Sequence, residues 1–199
     1  MSNGTSANPK IQAWVDAKVG QPLVGSGECA DLADQALTMN GCKGVRDFLK
    51  ETIGNDYVWG TEIDLKLVAP GDVLQFCDHV VSTASTIKIV ETGAKGTSIT
   101  TQGPETNSRT RGHHTAIVSE NCLNGQLIIV EQNVQDAQTK KTIPFVQRSL
   151  LYTQDASTTW KTTEPRADPT GGVLTVETTT AITVTVRGWI RAYRPQTKK

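Results

Sequence analysis

Apolar positions in the first forty residues recur at helical spacing. Asn8-Pro9 reads as an N-cap followed by proline at the first helical position, and Ile11, Trp14, Val15 and Val19 then share one face until Gly20. Beyond the glycine turn Gly25-Ser-Gly-Glu-Cys29, the stripe Leu32, Ala33, Ala36 and Leu37 predicts a second helix, which Asn40-Gly41 ends. Cys29 therefore falls in or beside the first turn of that helix. From Pro70 onward the period shortens. Val73–Phe76, Ile87–Val90, Thr115–Val118 and Leu127–Val130 are short β-type runs, and Asn124-Gly125 marks a hairpin between the last two. Ile143–Tyr152, Val173–Thr178 and Ile182–Tyr193 are also strand-like. Helices followed by antiparallel strands predict an α+β fold, with N-terminal helices packed on an antiparallel β-sheet.

Between the runs lie Gly93–Gly112 and Thr153–Gly172, rich in Thr, Gly and Ser, which read as long polar loops. With 199 residues the chain fits one domain over 1–199 with frayed termini.

Composition narrows the partners. Twenty basic residues balance twenty acidic ones, so no global field draws the chain to nucleic acid or to an anionic membrane. Residues 1–9 lack the basic and apolar regions of a secretory signal, and no window approaches the ~18 apolar residues of a membrane span. The expectation is a soluble chain, cytoplasmic or exported by a non-classical route. Cys29, Cys42, Cys77 and Cys122 make no CxxC pair, so neither metal nor cofactor is expected; the last three read as small buried free thiols. His79, in Cys77-Asp78-His79, reads as a strand-end or loop residue and not as a ligand. Trp14, Trp59, Trp160 and Trp189 are too scattered for a stacking platform, and those of them that are buried are assigned to core packing.

A cysteine at a helix N-terminus is activated, because unpaired N–H groups and the positive end of the helix dipole favour the thiolate. Cys29 has that placement, and the glycines before it let a substrate carbonyl approach the Cys29 N–H as an oxyanion donor. A base is available in Gly112-His113-His114-Thr-Ala-Ile-Val118, which sets a histidine at the start of a buried strand. The next run ends in Glu131-Gln132-Asn133. Alternation places Glu131 and Asn133 on one face and Gln132 on the other, where a carboxylate or amide on Nδ1–H would leave Nε2 for the thiol.

Taken in order, Gly27-Glu-Cys29-Ala-Asp-Leu32, Ala69-Pro-Gly-Asp72-Val-Leu-Gln-Phe76, Gly112-His-His114-Thr-Ala-Ile-Val118 and Ile129-Val-Glu131-Gln-Asn133 resemble the successive motifs of the CHAP family. These are papain-like cysteine peptidases and amidases, many of which cut peptidoglycan. The resemblance runs from about Ile11 to Asn133, with a last strand at Gly188–Tyr193. It implies a papain-like core, Cys29 as nucleophile, His114 as base, Glu131 as orienting residue and Asn133 as a second polar partner. His114 is preferred to His113 because the family histidine directly precedes an x-Ala-Ile-Val strand. Pro70-Gly71-Asp72 becomes a structural turn. Glu28 stands where the family commonly has Gln, and the aromatic usual after the cysteine is replaced by Ala30-Asp31, which marks a divergent member.

The function expected is cleavage of an amide bond, in peptidoglycan or a peptide, through an acyl-enzyme on Cys29. Two alternatives stand beside it: an inactive CHAP-like module that binds peptide or glycan, and a Cys-His acyltransferase. The expected partner is a peptide or peptidoglycan-like substrate, and the oligomeric state is left open.

Overall fold

The computed structural model describes residues 7–48, 56–136 and 139–198. Two α-helices, α1 (Asn8–Asp16) and α2 (Cys29–Met39), precede eight strands: β1 (Thr61–Ile63), β2 (Val73–Gly93), β3 (Gly96–Arg111), β4 (His114–Leu123), β5 (Gln126–Glu131), β6 (Gln147–Tyr152), β7 (Ala156–Ala167) and β8 (Val173–Arg194). The fold class is thereby corrected: the described residues are 56% strand and 15% helix, a β-rich fold in place of the expected α+β papain-like core. The two predicted helices form, but strand takes over the segments assigned to loops. Residues 93–112 carry all of β3, and 153–172 carry β7. Threonine is β-branched and fits a pleated ribbon even without apolar alternation, so a Thr-rich polar stretch is a strand as readily as a loop.

Contacts divide the chain, read above as one domain, into two compact units. The described residues within 1–79, 110–153 and 187–199 form the first; 80–109 and 154–186 form the second. In the second unit β3 pairs with β2, and β7 pairs antiparallel with β8 from Ala156↔Val184 to Ala167↔Val173. Its strands are mostly exposed; Val176 and Val184 are its buried apolar residues among those described.

The first unit holds the chemistry. Its sheet runs β1-β8-β2-β4-β5-β6, with β2–β4, β4–β5 and β5–β6 antiparallel. The apolar runs are continuous because both faces of the sheet are covered. On one face Val73, Ile117 and Val130 meet Ile11, Val15, Leu32, Ala33, Ala36 and Leu37 from the two helices. On the other, Leu74, Phe76, Ala116, Val118, Leu127 and Ile129 pack with Leu151 and Ala192.

The turn at Pro70-Gly71-Asp72 anchors α1 to the start of β2. Asn8 does not cap α1, which begins at that residue after Ala7; its amide donates instead to Asp72 Oδ1 at 2.7 Å and to the Pro70 carbonyl at 3.0 Å. Asp72 is fully buried and also accepts from the Ala69 N–H and from Arg194 Nε and Nη2 at 3.1 and 2.8 Å. Gly71, at φ +87°, lies so close to the Asn8 backbone that a Cβ there would overlap it.

Candidate active site

Cys29, the expected nucleophile, is set by the loop 24–28 and the first turn of α2. Ser26 donates from its N–H and its hydroxyl to Asp31 Oδ2, at 2.7 and 2.6 Å, which ties the loop to the third residue of the helix. Gly25 sits at φ +65°, and a side chain there would strike Asp31. From the sheet side the buried amide of Gln132 closes the same loop. Its oxygen accepts from the Val24 N–H at 2.8 Å, and its Nε2 donates to the Val24 and Glu28 carbonyls at 3.0 and 2.6 Å. Cys29 follows as the first residue of α2, half-buried and free of any disulfide.

His114, the expected base, is the first residue of β4. His114 shares strand parity with Ala116 and Val118, and Glu131 shares it with Leu127 and Ile129, so both side chains emerge on the face that holds Phe76. Ile117 pairs with Val130, which puts Glu131 beside Ala116 and diagonal to His114. The result is a 3.0 Å hydrogen bond between His114 Nε2 and Glu131 Oε2, with the histidine ring tilted against Phe76 at 5.8 Å. The Cys29 thiol lies near enough to His114 for each to favour the charged form of the other. The carboxylate side of the expected orientation is corrected: Nε2, and not Nδ1, meets Glu131.

Glu131 is held in turn by Arg111, the last residue of β3. Arg111 Nε and Nη2 donate to Oε2 and Oε1, each at 3.0 Å, and both side chains are buried. Such a two-pronged pairing fixes the carboxylate in plane as well as neutralising it. Arg111 also lies over the Phe76 ring, 5.4 Å from its centroid. The chain Arg111, Glu131, His114, Cys29 thus alternates in charge when the last pair is ionised.

Electrostatics favour that ionised pair. Burial alone would push the Cys29 thiol up, but the hydrogen bond and charge of His114, with the backbone N–H groups of Thr115 and Ala30, hold it below its ordinary value. Burial likewise works against a charged His114, yet hydrogen bonds to Cys29 and Glu131 and their charges raise it above the usual imidazole range. Glu131 overcomes its own burial through His114 and Arg111 and stays well below the usual carboxylate range. His79 behaves differently. Buried against Phe76 at 5.3 Å, it is pushed down to about 4 by burial and by the Arg111 charge, so it is neutral beside the pair.

Of the residues assigned from sequence, Cys29, His114 and Glu131 come together. Asn133 does not join them: β5 ends at Glu131, Asn133 turns to φ +59°, and its amide donates to Glu28 Oε2 at 3.0 Å. Alternation had placed it beside Glu131, and the end of the strand cancels the alternation. That contact also directs the Glu28 carboxylate toward Asn133. His113 turns to Asp56, with Nδ1 2.8 Å from Oδ1. Cys42 is buried, whereas Cys77 and Cys122 are half-buried, and all four cysteines are free. Trp59 is buried and packs in the core, while Trp160 and Trp189 are exposed. Arg111 and Gln132 are site residues that the sequence does not single out: the one falls in a segment that reads as loop, and the other meets partners more than a hundred residues away.

No family model matches the chain, and no curated protein matches it either. Among the described residues no helix is long and apolar enough to cross a membrane.

Proposed function

We propose that the chain is a cysteine hydrolase that cleaves an amide bond through an acyl-enzyme on Cys29. The observation that carries this reading is the grouping of Cys29 at a helix N-terminus, His114 interacting with it, and Glu131 bonded to His114 Nε2 and clamped by Arg111. A buried histidine held by a carboxylate beside a half-buried thiol supports an activated nucleophile.

In the first half-reaction the Cys29 thiolate attacks the scissile carbonyl carbon and a C–S bond forms. The charge moved to oxygen is met by unpaired N–H groups of the first helical turn. As the C–N bond breaks, the His114 imidazolium gives its proton to the departing amine. Water then loses a proton to His114 and attacks the thioester, the C–S bond breaks, and a carboxylic acid leaves. Glu131 keeps the ring in one orientation and stabilises its charged form. The order of motifs shared with the CHAP family supports a peptide or peptidoglycan substrate. Glu28, which stands where the family commonly has Gln, has a partner in Asn133 that draws its charge aside.

The test is hydrolysis of peptidoglycan and of peptide libraries by the full chain, with Cys29→Ala and His114→Ala as controls. The reading expects both variants to lose turnover while melting as the parent does. Turnover that survives Cys29→Ala refutes it, as does a folded parent that cleaves neither substrate class.

A further inference from the structure

A second cluster of reactive side chains lies in the same unit, apart from the Cys29 site. Asp56, Cys77 and His113 each offer one ligand atom, a carboxylate oxygen, Sγ and a ring nitrogen, and these atoms all lie within 4.8 Å of one another. We infer that they form a binding site for a single zinc-class divalent cation.

The donor set argues for that class of metal. One thiolate, one imidazole and one carboxylate suit a borderline-soft ion such as Zn²⁺ or Co²⁺, whereas Ca²⁺ and Mg²⁺ call for oxygen ligands. Zinc bonds of roughly 2.0–2.3 Å in a tetrahedron set ligand atoms about 3.3–3.7 Å apart. The Asp56–His113 pair stands at 2.8 Å and has to open by about 0.5 Å, and no separation in the cluster has to close by more than about 1.5 Å, adjustments within reach of His113, whose side chain is 51% exposed. That exposure also leaves the fourth position open to water.

The buried member is already fixed. Asp56 Oδ1 accepts from Gln75 Nε2 at 3.3 Å, and the Gln75 oxygen accepts from Trp59 Nε1 at 3.0 Å and from the Thr115 hydroxyl at 2.9 Å. A ligand oriented by a second layer of hydrogen bonds is the arrangement that metal sites use. A plain Asp56–His113 ion pair would account for two of the three residues but would give Cys77 no part. Beside Cys77 a further carboxylate, Asp78, has Oδ2 4.0 Å from the sulfur, which adds negative charge where a cation would sit. The inference is independent of the hydrolase reading. If both hold, the cation sits one residue from His114 and stiffens the turn that presents it.

The experiment uses the full chain carrying Cys29→Ala, which removes the rival thiol beside His114, titrated with Co²⁺ and then Zn²⁺. The expected result is one Co²⁺ per chain with a thiolate-to-cobalt charge-transfer band that Zn²⁺ displaces. Adding Cys77→Ser should remove the band, and adding His113→Gln should weaken binding at least tenfold. His113→Gln alters an exposed side chain, so it keeps the test open should Cys77→Ser disturb folding, and metal-free melting curves establish which variants are folded. No band in the Cys29→Ala chain, a band that persists in folded Cys77→Ser, or an affinity unmoved by His113→Gln would each overturn the assignment.

Discussion

Replacing Glu131 by glutamine separates what the carboxylate does for chemistry from what it does for the fold. The change keeps shape and removes a charge on which His114 and Arg111 both depend, each at 3.0 Å. A hydrogen bond to a charged partner contributes about 1.5–3 kcal/mol net. One pK unit corresponds to about 1.4 kcal/mol, so the imidazolium should lose roughly 1–2 units of preference and the thiolate–imidazolium pair about 10- to 100-fold in population near neutrality. Separately, Arg111 becomes a buried cation without its carboxylate, a loss of about 3–5 kcal/mol. That is a large part of the ~5–15 kcal/mol typical of a folded domain. The assay is iodoacetamide alkylation of Cys29 against pH, read by peptide mapping in a chelating buffer, alongside urea denaturation. Adding Arg111→Met to Glu131→Gln removes the stranded charge, so stability should return in good part while reactivity does not. A folded Glu131→Gln variant that alkylates at the parent's rate and with the parent's pH profile would refute the role given to Glu131.

Other outcomes follow from the same geometry. With Cys29 lowered and His114 raised, alkylation in the parent should reach half its maximum below the ordinary thiol value of about 8.5, and His114→Gln should move that midpoint upward. The rate of hydrolysis should rise with pH through the Cys29 transition and fall again as the imidazolium loses its proton above the ordinary imidazole range, the two limbs belonging to the coupled pair. Asp72→Ala should cost about 3–5 kcal/mol by urea denaturation, because Asn8 and Arg194 lose a buried partner together. Gln132→Leu should raise hydrogen exchange at Val24 and slow alkylation of Cys29, since three hydrogen bonds that close the loop disappear; unchanged exchange would count against the clamp.

Much of the site was legible because strand parity and helix position are local properties. Cys29 follows a glycine turn, His114 opens an apolar run and Glu131 closes one, and each of these is read within a few residues. What was not legible depends on distant partners or on where a strand stops. Arg111 belongs to the site only because β3 is a strand, and the single Ile99 in Gly96–Arg111 gives no apolar alternation to announce one. Asn133 left the site because β5 ends two residues earlier. The ring orientation of His114 turns on which nitrogen meets Glu131, a question of approach angle that spacing does not encode. Strand lengths were underestimated for the same reason. Ile87–Val90 is the late part of a strand that began at Val73, and Val173–Thr178 with Ile182–Tyr193 lies within the single strand β8, as Thr-rich stretches carry the pairing through.

One short feature, the pair Glu131-Gln132 at the end of β5, has a wider bearing. Adjacent residues of an extended segment point to opposite sides, so one steadies the base while its neighbour holds the loop of the nucleophile. A slip of one position in the pairing of β5 would exchange the two faces and strip both halves of the site at once. Under the proposed reading, support of His114 and closure of the Cys29 loop thus stand or fall together with the register of one strand.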